Sequence, residues 1–314
     1  MSEWLTFSSK RKGKGKKVAS ASAPGADGPS SYEAKEEVAP VDVGELLARL
    51  EVLKGHIGQT ELYKDLLKAL AERRTQGHSN KAAATSRVVA FGIGRFASNN
   101  VALLQLALLL CLLRDEVRNG SGESTETSYI FDPMCDVNEE EICSKLGLET
   151  LKENIHGKFD ATSTMDGATT LFYMPHCPYS LYGNVLWRNW DHLEDITIIG
   201  NSFNSYALRR DPRVQVSTES APEPDCVTLL TPILTEIEIW ESSHNDPRVC
   251  PHASRLQGME SAFNDMSVMF YKGDASETEG GKEDSSGSRL LHSIARPAEE
   301  KLDAWNRAND LECY

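Results

Sequence analysis

The sequence predicts a three-layer α/β domain of Rossmann-like type, with a mostly parallel sheet, over residues 85–272 and a helical cover on its N-terminal side. Three observations predict it. Short apolar runs recur along the chain, each closing in a turn of Gly, Pro, Asn or Asp. Segments of helical periodicity follow those turns, and repeated strand–loop–helix units build a parallel sheet with helices on both faces. One of the helices, from Ser98 or Asn99 to Leu113, is apolar nearly all round, which means burial between the sheet and its neighbours.

The chain divides into five stretches. Residues 1–40 form a basic tail, and from residue 8 on they are rich in Ser, Lys, Gly, Ala and Pro; they cannot bury enough surface to offset chain entropy, so disorder is expected. Lys10, Arg11, Lys12, Lys14, Lys16 and Lys17 in this tail read either as a nuclear localisation signal or as a solvated charge run. Residues 41–84 are the cover. Leu46, Leu50, Leu53 and Ile57 make one apolar stripe, Leu62, Leu66 and Leu70 another, with Gly55 and Gly58 between two helices. The stripes of residues 43–74 serve either to dock on the domain or to bind a regulatory partner.

Strands are expected at Val88–Phe91, Tyr129–Phe131, Thr169–Met174 and Asp195–Ile199, with helices at Asn138–Leu146 and Leu181–Trp190. Asn119–Thr127 is a polar loop. Val227–Trp240 is expected to hold one or two strands broken at Pro232, and Ala262–Tyr271 a last one. Residues 273–288 form an acidic linker, and 289–314 a peripheral segment expected to form a short helix.

Composition narrows the function. Of the net charge of −14, the first seventeen residues contribute +5, so the remainder carries −19. Such a body repels phosphate backbones, which argues against nucleic acid as a partner of the core. Seven scattered cysteines without a close-spaced framework read as reduced thiols, pointing to the cytoplasm and also the nucleus. No secretory signal is expected, and the apolar run Val101–Leu113 is too short to span a bilayer.

Ligands of open parallel sheets sit at the carboxyl ends of strands, and four such ends carry the distinctive residues here. Gly92-Ile93-Gly94-Arg95-Phe96-Ala97 fits the pattern G-x-G-x-x-A, so Gly92, Gly94 and Ser98 are candidates for a nucleotide-like ligand. The bland alternative is a turn that lets strand and helix pack. Asp132 ends the second strand, where such folds place an acid on a ribose. His176 and Cys177 lie in Pro175-His-Cys-Pro178; His176 and Asp132 are the catalytic candidates, and Cys177 and Cys250, each in a Cys-Pro pair, are the candidates for haem ligation. Asn201 and Ser202 either cap a helix or touch a ligand. Without a CxxC pair a structural zinc site is not expected.

At these residues the chain resembles the sensitivity-to-red-light-reduced family, the SRR-like proteins. The resemblance rests on Gly92-Ile-Gly-Arg-Phe-Ala-Ser98, Gln105-Leu-Ala-Leu108, Phe131-Asp-Pro133, Leu171-Phe-Tyr-Met-Pro-His-Cys-Pro178, Asn189-Trp190 and Gly200-Asn-Ser-Phe203. It implies a regulatory protein of circadian-clock input and clock-gene expression, and of haem biosynthesis, with haem as a possible ligand. A nucleotide- or S-adenosylmethionine-dependent transferase is the competing reading of the same cleft.

Overall fold

The computed structural model describes residues 42–75, 85–117, 126–162, 168–209, 225–239, 258–271 and 294–309. The basic tail, most of the polar loop, the acidic linker and Cys250 lie outside the described residues.

Two helices lead the chain, α1 (Val43–Ile57) and α2 (Glu61–Thr75). Asp42 starts α1 by accepting the Glu45 N–H at 3.0 Å. Gly55 lies inside α1, and the break falls at Gly58. Strand β1 (Thr85–Phe91) leads to α3 (Asn100–Leu112), which runs on into a π-helical turn, Leu113–Val117. Asn99, not Ser98, caps α3, its Oδ1 accepting from the N–H groups of Val101 and Ala102. Next come β2 (Ser128–Phe131), α4 (Val137–Lys145), β3 (Leu148–Thr150), β4 (Thr169–Met174), α5 (Tyr179–Arg188), β5 (Ile196–Asn201) and α6 (Phe203–Arg209). The described chain closes with α7 (Cys226–Leu230), β6 (Leu234–Glu238), α8 (Met259–Phe263), β7 (Met266–Tyr271) and α9 (Glu299–Asn309).

Seven strands form one sheet in the order β3-β2-β1-β4-β5-β7-β6. β1 to β5 pair in parallel, while β7 runs antiparallel to both β5 and β6. The mostly parallel sheet is therefore as expected, with details the sequence did not reveal. Val227–Leu230, expected within a strand, lies in the helix Cys226–Leu230, because Asp225 accepts the Thr228 N–H at 2.9 Å and caps it. Ala262 and Phe263 likewise belong to α8, and β7 begins only at Met266.

Strand alternation sends side chains to two separate cores. Val88, Ala90, Leu171 and Tyr173 face one side, where α1, α2, α3 and α8 pack. Val89, Phe91, Phe172 and Met174 face the other, with α5, α7 and α9. The stripes of the cover are spent on the first core: Leu50, Ile57, Leu62 and Leu66 have no exposed surface. No described helix is long and apolar enough to cross a membrane.

Candidate functional site

From β1 the chain steps outward to β2 and β3 in one direction, and β4 and β5 extend the sheet in the other. The adjacent carboxyl ends of β1 and β4 are therefore the switch point of the sheet, the place where such folds leave a crevice. A cavity of about 550 Å³ opens there, within the range of small-molecule sites.

Its floor is set by backbone geometry. Gly92 takes φ +69°, and a Cβ on it would lie 2.6 Å from the Cys177 Sγ. Only glycine admits that turn and that approach together. The Cys177 thiol donates to the Phe91 carbonyl at 3.3 Å and is 3% exposed. Burial, and next the charge of Asp132, push this thiol far above the ordinary range, so it stays protonated at neutral pH. Beside it, the Asp132 carboxylate accepts two backbone N–H bonds, from Gly94 to Oδ2 at 2.7 Å and from Met134 to Oδ1 at 2.8 Å.

The Gly92 N–H donates to the Phe131 carbonyl at 3.1 Å, so both glycine N–H groups of the turn are engaged. The Ala97 N–H donates to Glu139 Oε1 at 2.8 Å. Arg95 is drawn to Asp136 at 2.7 Å and to Glu139 at 3.9 Å. Glu139, fully buried, reaches back to the Asp136 N–H and completes a capping box on α4.

Of the residues singled out in the sequence, Gly92, Asp132 and Cys177 line the cavity. Gly94 joins through its N–H bond to Asp132, while Ser98 is exposed in the turn before α3. The Pro-His-Cys-Pro turn points its two central residues in different directions. His176, with φ +56°, is not on the cavity wall; its N–H donates to Asn201 Oδ1 at 2.7 Å and its Nε2 lies 3.1 Å from the Ala262 carbonyl oxygen. Asn201 therefore braces this turn, and Ser202 caps α6 by accepting the Ser205 N–H at 2.9 Å. The first three strand ends share one pocket, and the fourth supports it from outside.

Other lining residues escaped the sequence reading. The loop after β3 brings Asn154, His156 and Lys158, α5 brings Asn184, and α9 brings Asp303, Asn306 and Arg307. Asn306 donates to Asn184 Oδ1, and Asn184 donates in turn to the His156 carbonyl, each at 2.8 Å. The segment expected to be peripheral is a wall of the cavity. Leu302 holds it in the second core at 1% exposure, and the Trp187 indole N–H donates to Pro297 O at 2.8 Å.

The SRR1 domain family model matches residues 58–270, well over half of the chain. An SRR1-like protein of Mus musculus is 33% identical over 170 residues, 54% of this chain and 63% of its own length. An SRR1-like protein of Drosophila melanogaster is 31% identical over 177 residues, 56% of this chain and 58% of its own. Protein SENSITIVITY TO RED LIGHT REDUCED 1 of Arabidopsis thaliana is 26% identical over 217 residues, 67% of this chain and 75% of its own. The chain thus spans about three fifths of the mouse and fly relatives.

Proposed function

The chain belongs to the SRR1 domain family, and from that premise we propose that it is a regulatory protein of light and clock signalling whose input is a small molecule held between the ends of β1 and β4. The Arabidopsis relative is named for reduced sensitivity to red light, which supports the signalling part. The observation that carries the ligand part is the cavity of about 550 Å³ at the switch point. In this reading the protein works in the cytoplasm and nucleus. Partner contact through residues 43–74 uses the polar outer faces of α1 and α2, because their apolar stripes are buried.

Native mass spectrometry of protein isolated from cells tests the ligand part. The parent chain should carry a bound small molecule, and Ser180→Phe, which fills the cavity from α5, should arrive empty with an unchanged fold. A parent chain that is also empty, and whose melting temperature no metabolite panel raises, counts against the cleft as a ligand site.

Control of haem biosynthesis stays within this proposal, but Cys177 does not fit a haem. A thiolate ligand must be ionised and open to the iron, whereas this thiol is buried, protonated and spent on the Phe91 carbonyl. Any hemin Soret shift should therefore survive Cys177→Ala and be lost with Cys250→Ala.

One observation favours a second reading, an S-adenosylmethionine-dependent transferase. The order β3-β2-β1-β4-β5-β7-β6 puts the cavity at the switch point of a mostly parallel sheet, where Rossmann-like enzymes hold their ligands. That is a likeness of fold, and fold alone does not assign chemistry. Of the two catalytic candidates, Asp132 lines the cavity and His176 does not.

A further inference from the structure

We propose that the cleft takes a nucleoside-type ligand carrying no phosphate at the glycine turn, with its ribose diol on Asp132. The inference rests on the reading of the cleft as a ligand site and narrows the class of molecule that fits it.

Phosphate binding at a strand-to-helix turn depends on free backbone N–H groups and a net positive field. Here the Gly94 and Ala97 N–H groups donate to the carboxylates of Asp132 and Glu139. The one cation of the turn, Arg95, is drawn to Asp136 and Glu139. A phosphate placed there would displace bonds already made and face three carboxylates at close range. The protein's own carboxylates hold two of the turn's donors and surround it with negative charge. The cationic lining residues lie elsewhere: Lys158 pairs with Glu299 at 2.8 Å and Asp303 at 3.7 Å, and Arg307 sits at the exposed rim on α9.

Asp132 nonetheless retains a use. Each carboxylate oxygen accepts one N–H, and a carboxylate offers about four acceptor positions in all. The two that remain suit a pair of neighbouring hydroxyls, and the end of β2 is where Rossmann-like folds place an acid on ribose. Around it the lining is apolar and amide-bearing, with Phe91, Phe131 and Met134 on the strand side and Asn154, Asn184 and Asn306 opposite. Such walls accept a flat ring and hydrogen-bond its edge without needing charge.

Isothermal titration of the full chain tests this through the ligand, leaving the protein unaltered. Adenosine and S-adenosylhomocysteine should bind. Adding a 5′-phosphate (AMP) or a dinucleotide pyrophosphate (NAD) should weaken binding at least tenfold, and so should removing both hydroxyls (2′,3′-dideoxyadenosine), since a site built to bond a hydroxyl rejects the analogue lacking it. If AMP or NAD binds as well as adenosine, the phosphate-free assignment is overturned and the cleft stands as a ligand site. If dideoxyadenosine binds equally, the role of Asp132 is overturned. Should no nucleoside bind while native mass spectrometry shows another molecule in the cleft, the nucleoside class is overturned and the ligand site again stands. An empty protein in both measurements removes both.

Discussion

On one face of the sheet, Leu50, Ile57, Leu62 and Leu66 of the cover meet an α3 in which every residue from Ala102 to Leu112 is buried. Nearly all of that contact is aliphatic. On the other face, Phe91, Phe172, Tyr182, Trp190 and Phe203 are joined by buried amides of Asn184 and Asn189, and a cavity opens beside Phe91 and Asn184. Aliphatic side chains interdigitate to near-crystalline density and leave no room. Rings and amides pack with fixed shapes and directional bonds, so they can frame an opening without collapsing into it. The first face serves stability, and the second frames the proposed ligand site.

Breaking the first face should therefore have the largest effect. Deleting residues 43–74 exposes the apolar side of α3, and the domain should lose its cooperative thermal transition by circular dichroism. Retention of that transition would mean that the cover is dispensable. The single substitution Leu50→Ala, at a side chain with 0% exposure, should cost about 2–5 kcal/mol in urea unfolding. Ligand binding in the remaining folded fraction should not change.

Much of this first face was legible in the sequence, because helices of three or more turns repeat their apolar positions often enough to be recognised. The strands β1, β2, β4 and β5 were legible as apolar runs ending in turn residues. β3 was not: Leu148–Thr150 is three residues long, too short for any period. Missing it hid the following loop, and with it Asn154, His156 and Lys158. Asp225 carried a local cap signal for α7, but the apolar run after it imitates a strand. The reversal of β7 is fixed by tertiary pairing with β5, which no local pattern records. The strand ends were correctly read as a shared edge, yet the same residues cannot show which way each side chain turns. His176 and Cys177 are neighbours, and they part to opposite sides of the turn.

The floor of the cleft offers the next effect in size. Gly92→Ala asks an L residue to hold φ +69° with its Cβ 2.6 Å from the Cys177 Sγ. The left-handed backbone costs about 1–2 kcal/mol, and overpacking adds about 1–3 kcal/mol. Combining it with Cys177→Ala should recover the overpacking part and leave the backbone part. A double variant no more stable than the sum of the singles predicts would show that the two residues do not press on each other.

Asn189 sharpens the comparison from the aromatic face. Its amide donates to Phe159 O at 3.0 Å and Val185 O at 2.9 Å, and its Oδ1 accepts the Ala161 N–H at 2.8 Å. Aliphatic packing cannot satisfy a loop backbone, so this side chain does it. Asn189→Ala should cost about 1–3 kcal/mol through the groups left unpaired, with hydrogen exchange rising at Ala161 first. Uniform exchange across the domain would argue against a local role.

The smallest effect is expected where α9 meets the cavity. Lys158 holds Glu299 and Asp303 on the surface of the cleft and lies over the Trp187 ring, 5.4 Å from its centre. Its side-chain bond and charge keep the Glu299 carboxyl below the usual carboxylate range. A carboxyl with a depressed value binds fewer protons in the folded state, so its contribution is present at neutral pH. It is lost as pH falls through the depressed value. Salt should weaken it in the same way, because both partners are reached by solvent. Global unfolding should hardly register Lys158→Ala, since exposed pairs contribute little. Exchange of the α9 amides, corrected for intrinsic rate, should rise on acidification in the parent and lose that dependence in the variant. Identical profiles in the two proteins would leave Leu302 and the Asn306–Asn184 bond as the holders of α9, and the ion pair as ornament on a wall that closes without it.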